Sequence, residues 1–149
     1  MLLGAAVAGC TLLSQKPPPP SVDVTGFWQG RSIGVCAART GCAGMSLISL
    51  SMIQDQSKIS GMYRCATGTT LCRNLDTQGN IAVGTIRGPG VSLRIMFDDV
   101  SSCIFNGTFS DTVGAGAYIC MQGGGTVDRG FWKVRRSFGP SPPPAWWTG

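Results

Sequence analysis

Short segments between residues 24 and 138 alternate apolar and polar residues with a period of two, which is typical of half-buried β-strands. The segment VSLRIMFD places Val91, Leu93 and Ile95 on one face, and ISLSM does the same with Ile48 and Leu50. Eight strands are predicted in this way, at residues 24–33, 45–54, 58–66, 79–87, 90–98, 102–110, 113–121 and 128–137.

The connections between these strands are short. QDQS, RGPG and SDTV all consist mainly of residues that favour turns. Successive hairpins with short loops make an antiparallel meander, and eight strands can close on themselves and so remove the exposed edges. We therefore predict an all-β fold, an antiparallel up-and-down eight-stranded barrel, over residues 24–138.

A glycine followed two residues later by a large apolar residue recurs through this region. Both members of such a pair lie on one face of a strand, and the glycine leaves room that a neighbouring aromatic ring can fill. We expect the pairs to line the inside of a curved sheet. They lie at residues 26–28, 61–63, 84–86, 107–109, 116–118 and 130–132.

One hairpin fixes a register. If Asp111 and Thr112 form its loop, then Phe105 faces Tyr118, and Cys103 faces Cys120 on the same side of the sheet. Directly opposed residues bring their Cβ atoms to within disulfide range. A disulfide between the two cysteines is predicted.

Six of the seven cysteines are read together as three disulfides. The chain contains no histidine, and the cysteine spacing does not match zinc sites. Paired cysteines indicate an oxidising compartment. For the remaining four we expect Cys36 with Cys42 and Cys65 with Cys72, and a bond between Cys42 and Cys72 stays open as an alternative.

The seventh cysteine ends an apolar opening, MLLGAAVAGC. The stretch Val7-Ala8-Gly9-Cys10 resembles the lipobox of bacterial lipoproteins, and the resemblance implies a lipid on Cys10 and removal of residues 1–9. No Lys or Arg precedes the apolar run, although signal peptides begin with basic residues. We therefore expect the natural start codon to lie upstream.

Residues 10–23 follow as a tether that contains four consecutive prolines and favours an extended spacer. Thr11 after the lipidated cysteine favours the outer membrane over the inner, by analogy with Gram-negative lipoproteins. The expected location is the cell envelope, with the domain facing the periplasm. Residues 139–149 form a second proline-rich segment, which ends near Trp146 and Trp147.

Gly26 and Trp28 in the first strand, with an arginine near the end of the last, resemble the signature of the calycins, which include lipocalins and avidins. That resemblance implies an arginine packed over the tryptophan at the closed end of the barrel. Arg136 is the candidate, and Arg135 is the alternative. The short motif supports the fold more than any function.

Composition limits the chemistry. Without histidine, catalytic triads within the chain are excluded, and Asp98-Asp99 is interpreted as a solvated turn. Neither a cofactor nor a metal is expected, and the chain is expected not to be an enzyme. A net charge of +5 is mild, so nucleic acid is not an expected partner.

Two functions remain open. In the first, the barrel binds a small apolar ligand or an envelope partner. In the second, side chains fill the barrel, and the loops or the C-terminal tryptophans interact with other envelope components. A membrane-spanning barrel is rejected because outward residues such as Ser92 and Arg94 are polar. The interior residues expected to contact a ligand are Trp28, Tyr63, Phe105, Tyr118 and Trp132.

Overall fold

The computed structural model describes residues 16–35, 45–65 and 78–137. These residues form eight β-strands, and every end lies within three residues of its predicted position. The strands are β1 (Gly26–Gly34), β2 (Met45–Asp55), β3 (Lys58–Cys65), β4 (Gln78–Arg87), β5 (Gly90–Met96), β6 (Ser101–Phe109), β7 (Val113–Gln122) and β8 (Gly125–Arg136).

The predicted barrel is confirmed. Each strand pairs antiparallel with the next, and β8 returns to pair with β1, so the sheet closes. The predicted register between β6 and β7 is also confirmed: Phe105 faces Tyr118, and Cys103 faces Cys120. A disulfide joins these two cysteines.

Side chains alternate between the two faces of the barrel wall as the pattern predicts. The nine apolar side chains expected inside are all 5 % exposed or less, so they form the core together with their neighbours. They are Trp28, Tyr63, Ile86, Leu93, Ile95, Phe105, Phe109, Tyr118 and Trp132.

Of the six glycines in the predicted pairs, only Gly107 makes room for an aromatic ring; at Gly61, Gly84, Gly116 and Gly130 an added Cβ atom would first meet the backbone of a neighbouring strand. Gly114, outside those pairs, also makes room for a ring. A Cβ atom on Gly114 would lie 2.4 Å from the Phe109 ring, and one on Gly107 would lie 2.7 Å from the Trp132 ring. The turn between β7 and β8 consists of two glycines. Gly123 and Gly124 form a turn with φ of 57° and 83°, which glycine adopts without strain, and Gly125 already belongs to β8.

Residues just before β1 pack on the barrel. Backbone hydrogen bonds join Gly88, in the turn between β4 and β5, to Pro19 and Ser21. Val22 and Val24 are buried in the core. The second half of the predicted tether is therefore held against one end of the barrel.

The other predicted disulfides fall partly outside the described residues. Cys36, Cys42 and Cys72 lie outside them, as does Cys10. Cys65 is buried and disulfide-bonded.

Candidate functional site

The end of the barrel where β1 begins is built around Trp28, which is fully buried. The guanidinium carbon of Arg136 lies 4.5 Å from the centre of the Trp28 ring, within the range of a cation–π interaction. The same guanidinium donates hydrogen bonds to the carbonyl oxygens of Asp23 and Thr25. Arg135, the alternative partner, is exposed on the outside of β8.

Aromatic rings occupy the middle of the barrel. Phe105 stacks on Tyr118 with 5.3 Å between ring centres. The centre of the Phe105 ring is 5.5 Å from that of Tyr63 and 6.0 Å from that of Trp132. Centroid distances of 4.5–7 Å are those of aromatic pairs in contact. Phe105 is therefore packed against the other three rings.

Phe109 connects this cluster to the end of the barrel. Its ring centre lies 5.6 Å from that of Trp132 and 4.8 Å from that of Trp28, in an edge-to-face arrangement. The five residues predicted to contact a ligand therefore belong to a single connected set of rings.

A polar pair lies toward the opposite end. The Tyr118 hydroxyl donates a 3.0 Å hydrogen bond to Oδ2 of Asp128, a residue that is only 2 % exposed. Oδ1 of Asp128 accepts a hydrogen bond from the Arg129 backbone amide. Burial raises the pKa of the Asp128 carboxyl, although both hydrogen bonds act against that change. Burial also raises the pKa of Tyr118, and the nearby Asp128 charge adds to the increase.

The Tyr63 hydroxyl lies within electrostatic range of the same pair. Burial raises its pKa well above the ordinary value, and the charges of Tyr118 and Asp128 raise it further. Its oxygen is buried and has no hydrogen-bond partner among the described residues. A buried hydroxyl without a partner is costly in a protein core, so this is an unusual polar position inside an aromatic barrel.

The outside of the barrel carries an apolar row across four strands. Ile33 of β1 pairs with Met45 of β2 and, on its other side, with Phe131 of β8. Phe131 pairs in turn with Ala117 of β7. The large side chains point outward: Phe131 is 62 % exposed, Ile33 is 55 % exposed and Met45 is 49 % exposed.

Basic side chains flank this row on both sides. Arg31 pairs with Lys133 across the seam between β1 and β8, and Leu47 lies beside Arg31 on β2. Arg129 lies on the other side of the row, two residues from Phe131 along β8. These cations are exposed. We call this surface the apolar–basic face; it consists of Arg31, Ile33, Met45, Leu47, Arg129, Phe131, Lys133 and Arg135.

A groove of about 480 Å³ crosses the apolar–basic face. The described outward residues of β1 and β8 include no carboxylate, because Asp128 points inward. On β5 and β6 the outward residues include the polar Arg94 and Asn106, as predicted, and also the half-buried apolar Met96 and Ile104. Other exposed apolar side chains on the wall are Ile53 of β2, Val83 of β4 and Ile119 of β7.

Sequence reasoning did not identify the apolar–basic face or the Tyr118–Asp128 pair. Ile33 lies two residues from Arg31 in β1, and Phe131 lies two residues from Lys133 in β8, so each apolar residue is on the same outward face as a cation. The alternation within each strand could have predicted this. The proximity of Ile33 to Phe131, however, depends on the pairing of the first strand with the last.

Within the described ranges, no group of three or more Cys, Asp, Glu or His side chains is arranged to hold a metal ion. None of the described residues belongs to a helix that is long and apolar enough to cross a membrane. No protein-family model, curated protein or solved structure matches the chain.

Proposed function

We propose that the chain is a lipid-anchored protein of the cell envelope whose filled barrel is a rigid support and whose outer surface binds an envelope partner. The observation that carries the proposal is the contrast between the two faces of the wall. Interior rings pack on one another around Phe105, whereas large apolar side chains such as Phe131 and Ile33 are exposed outside. Exposed apolar surface of this kind marks interaction sites.

The packing of the interior favours a filled barrel over a barrel that binds an apolar ligand. A ligand among the rings would have to displace contacts that already exist between Trp28 and Phe109 or between Phe105 and Tyr118. Eight-stranded barrels have an interior just wide enough for side chains or one small ligand. The proposal accordingly contains no catalytic step and no cofactor.

The anchor rests on the sequence. Val7-Ala8-Gly9-Cys10 resembles a lipobox, and the Cys103–Cys120 disulfide is consistent with an oxidising compartment such as the periplasm. Two or three acyl chains on Cys10 would hold the protein stably at a bilayer, whereas a single chain binds only marginally.

The experiment is an intact-mass measurement. The full chain is expressed in a Gram-negative bacterium with a basic leader added before Met1, and the protein is extracted from the membranes with detergent. We expect a product that begins at Cys10 and carries acyl chains, whereas the Cys10→Ser control should carry no acyl chain and should keep residues 1–9. A membrane-extracted product without lipid on Cys10 would contradict the proposal.

A second candidate function is favoured by one observation, the buried and unpartnered Tyr63 hydroxyl beside Tyr118 and Asp128. A small ligand with a polar head group would supply the missing hydrogen bond there. Native mass spectrometry of the membrane-extracted protein tests this candidate. A bound small molecule that is retained by the wild type and lost from Tyr63→Phe supports it, and an unliganded wild-type mass argues against it.

A further inference from the structure

We infer that the apolar–basic face docks on an anionic phospholipid surface, with its apolar row at the boundary between head groups and acyl chains and its cations on the lipid phosphates. This inference rests on the proposed function, since it names the partner of the outer surface.

The seam between β1 and β8 is the part of the face that a flat interface can reach. Four of the eight strands of a closed barrel span nearly half of its circumference, so Met45 and Ala117 point away to either side. Ile33 and Phe131 are direct neighbours across the seam, on strands about 4.8 Å apart. Residues two apart on one strand are separated by about 7 Å. Lys133 and Arg129 therefore lie on opposite sides of Phe131 within reach of the same surface. Apolar side chains flanked by Lys and Arg are the pattern that binds membrane interfaces.

Charge supports an anionic surface in particular. The face carries four cations and, among its described outward residues on β1 and β8, no carboxylate. Each basic side chain near an anionic bilayer contributes about 1 kcal/mol. Arg31 and Lys133 face each other directly across the strand pair, and phosphate groups between them would relieve the repulsion between like charges.

A second copy of the chain fits the face poorly. A two-fold contact places the same patch on both subunits, so the cations of one copy would meet those of the other. An acidic protein would neutralise the charges, but it would also need an apolar groove to accept the exposed side chains of Phe131 and Ile33. A bilayer offers phosphates and hydrocarbon over any contact area, so the observations favour it.

The test is co-sedimentation of the full chain carrying Cys10→Ser, so that no acyl chain contributes to binding. Vesicles of equimolar phosphatidylcholine and phosphatidylglycerol are compared with vesicles of phosphatidylcholine alone at low salt. We expect binding to the anionic vesicles to be at least about tenfold tighter than to the neutral ones, and to weaken as salt is added.

Charge variants locate the binding surface. Arg31→Gln with Lys133→Gln should weaken binding to anionic vesicles about 30-fold, from about 1 kcal/mol per cation. The matched control removes the same charge elsewhere, with Arg87→Gln and Arg94→Gln on β4 and β5, and should bind much more tightly than the first variant.

An apolar pair of variants completes the assay. Phe131→Ser should weaken binding about tenfold, the lower end of what burial of a Phe side chain contributes. Ile53→Ser is the control, because Ile53 is equally exposed but lies outside the apolar–basic face. Circular dichroism on every variant confirms folding before binding is compared.

Equal binding to neutral and anionic vesicles, or equal losses in the face and control variants, would overturn the inference. So would a cross-link to an acidic protein that depends on Lys133 while vesicle binding is absent. The vesicle assay contains no acylated protein, so an absence of vesicle binding does not bear on the acylation of Cys10. An absence of lipid on Cys10 in the intact-mass measurement likewise does not bear on vesicle binding.

Discussion

Arg136 in the last strand covers Trp28 in the first, with its guanidinium carbon 4.5 Å from the centre of the indole ring. The indole Nε1–H donates a hydrogen bond to the Val24 carbonyl oxygen at 2.9 Å. The guanidinium also donates to the carbonyl oxygens of Asp23 and Thr25. These contacts tie the segment before β1 to both closing strands, so they fix one end of the barrel.

Arg136→Gln should lower the free energy of unfolding by about 2 kcal/mol, because a cation–π contact and two hydrogen bonds from a charged donor are lost. Urea unfolding followed by tryptophan fluorescence measures the change. Arg135→Gln is the control and should stay within about 0.5 kcal/mol of the wild type, as exposed substitutions usually do. Equal losses in the two variants would refute this role for Arg136.

Removal of the Cys103–Cys120 disulfide by the double substitution Cys103→Ala with Cys120→Ala should cost about 3 kcal/mol. The two residues are 17 apart in sequence, and closing a loop of that length constrains the unfolded chain by about this amount. Urea unfolding of the double variant against the wild type provides the comparison. An unchanged midpoint and slope would show that the bond does not contribute.

Gly107→Ala should destabilise the barrel by at least about 2 kcal/mol, in the range of overpacked cores. The added Cβ would lie 2.1 Å from the Ala115 carbonyl oxygen and 2.7 Å from the Trp132 ring. Gly125→Ala is a matched control, because its Cβ would approach nothing closer than 3.8 Å. Thermal unfolding of both variants tests the prediction, and a wild-type melting temperature for Gly107→Ala would disprove it.

Asp128 should make stability fall as the pH rises. Burial raises the pKa of its carboxyl above the ordinary 3.8, so the folded protein binds the proton more tightly than the unfolded chain does. The contribution of Asp128 is full below the unfolded pKa and is lost as the pH rises through the folded pKa. As the pH rises from below the ordinary carboxyl pKa of 3.8 through the raised pKa of the folded protein, the wild type should lose stability relative to Asp128→Asn.

A control for this pH dependence has the opposite sign. The backbone hydrogen bond from Val100 to Asp98 lowers the pKa of the Asp98 carboxyl. Its contribution is present above the unfolded pKa and is lost as the pH falls through the folded pKa. The wild type should therefore gain stability relative to Asp98→Asn as the pH rises. A difference for Asp128→Asn that is constant across the pH range would contradict its raised pKa.

Local sequence patterns predicted the features that depend on one strand or on two strands that follow each other in the chain. The turn at Asp111 and Thr112 fixed the register of one hairpin, so the Cys103–Cys120 pair followed from counting residues. Alternation placed apolar side chains such as Phe105 inside because parity is a property of each strand alone. The prediction that Arg136 packs over Trp28 depended on the resemblance to the calycin signature as well, since no local pattern links residues in the first and last strands.

Features that depend on closure were not predicted. Ile33 and Phe131 are single exposed residues in their own strands and become a continuous row only when β8 pairs with β1. Asp128 pairs with Cys120, so it lies diagonally opposite Tyr118. A register shift between Cys120 and Met121 separates this pairing from the turn at Gly123 and Gly124, and no residue pattern in that hairpin signals the shift.

The central claim is that side chains fill the barrel while the outer face remains available for a partner. Urea unfolding of Phe105→Ala and Phe131→Ala tests it most directly, because both changes remove the same ring from opposite sides of the wall. Phe105→Ala should lose about 3–5 kcal/mol, as packed aromatic residues do, and Phe131→Ala should stay within about 0.5 kcal/mol of the wild type. Comparable stability for the two variants would contradict the account.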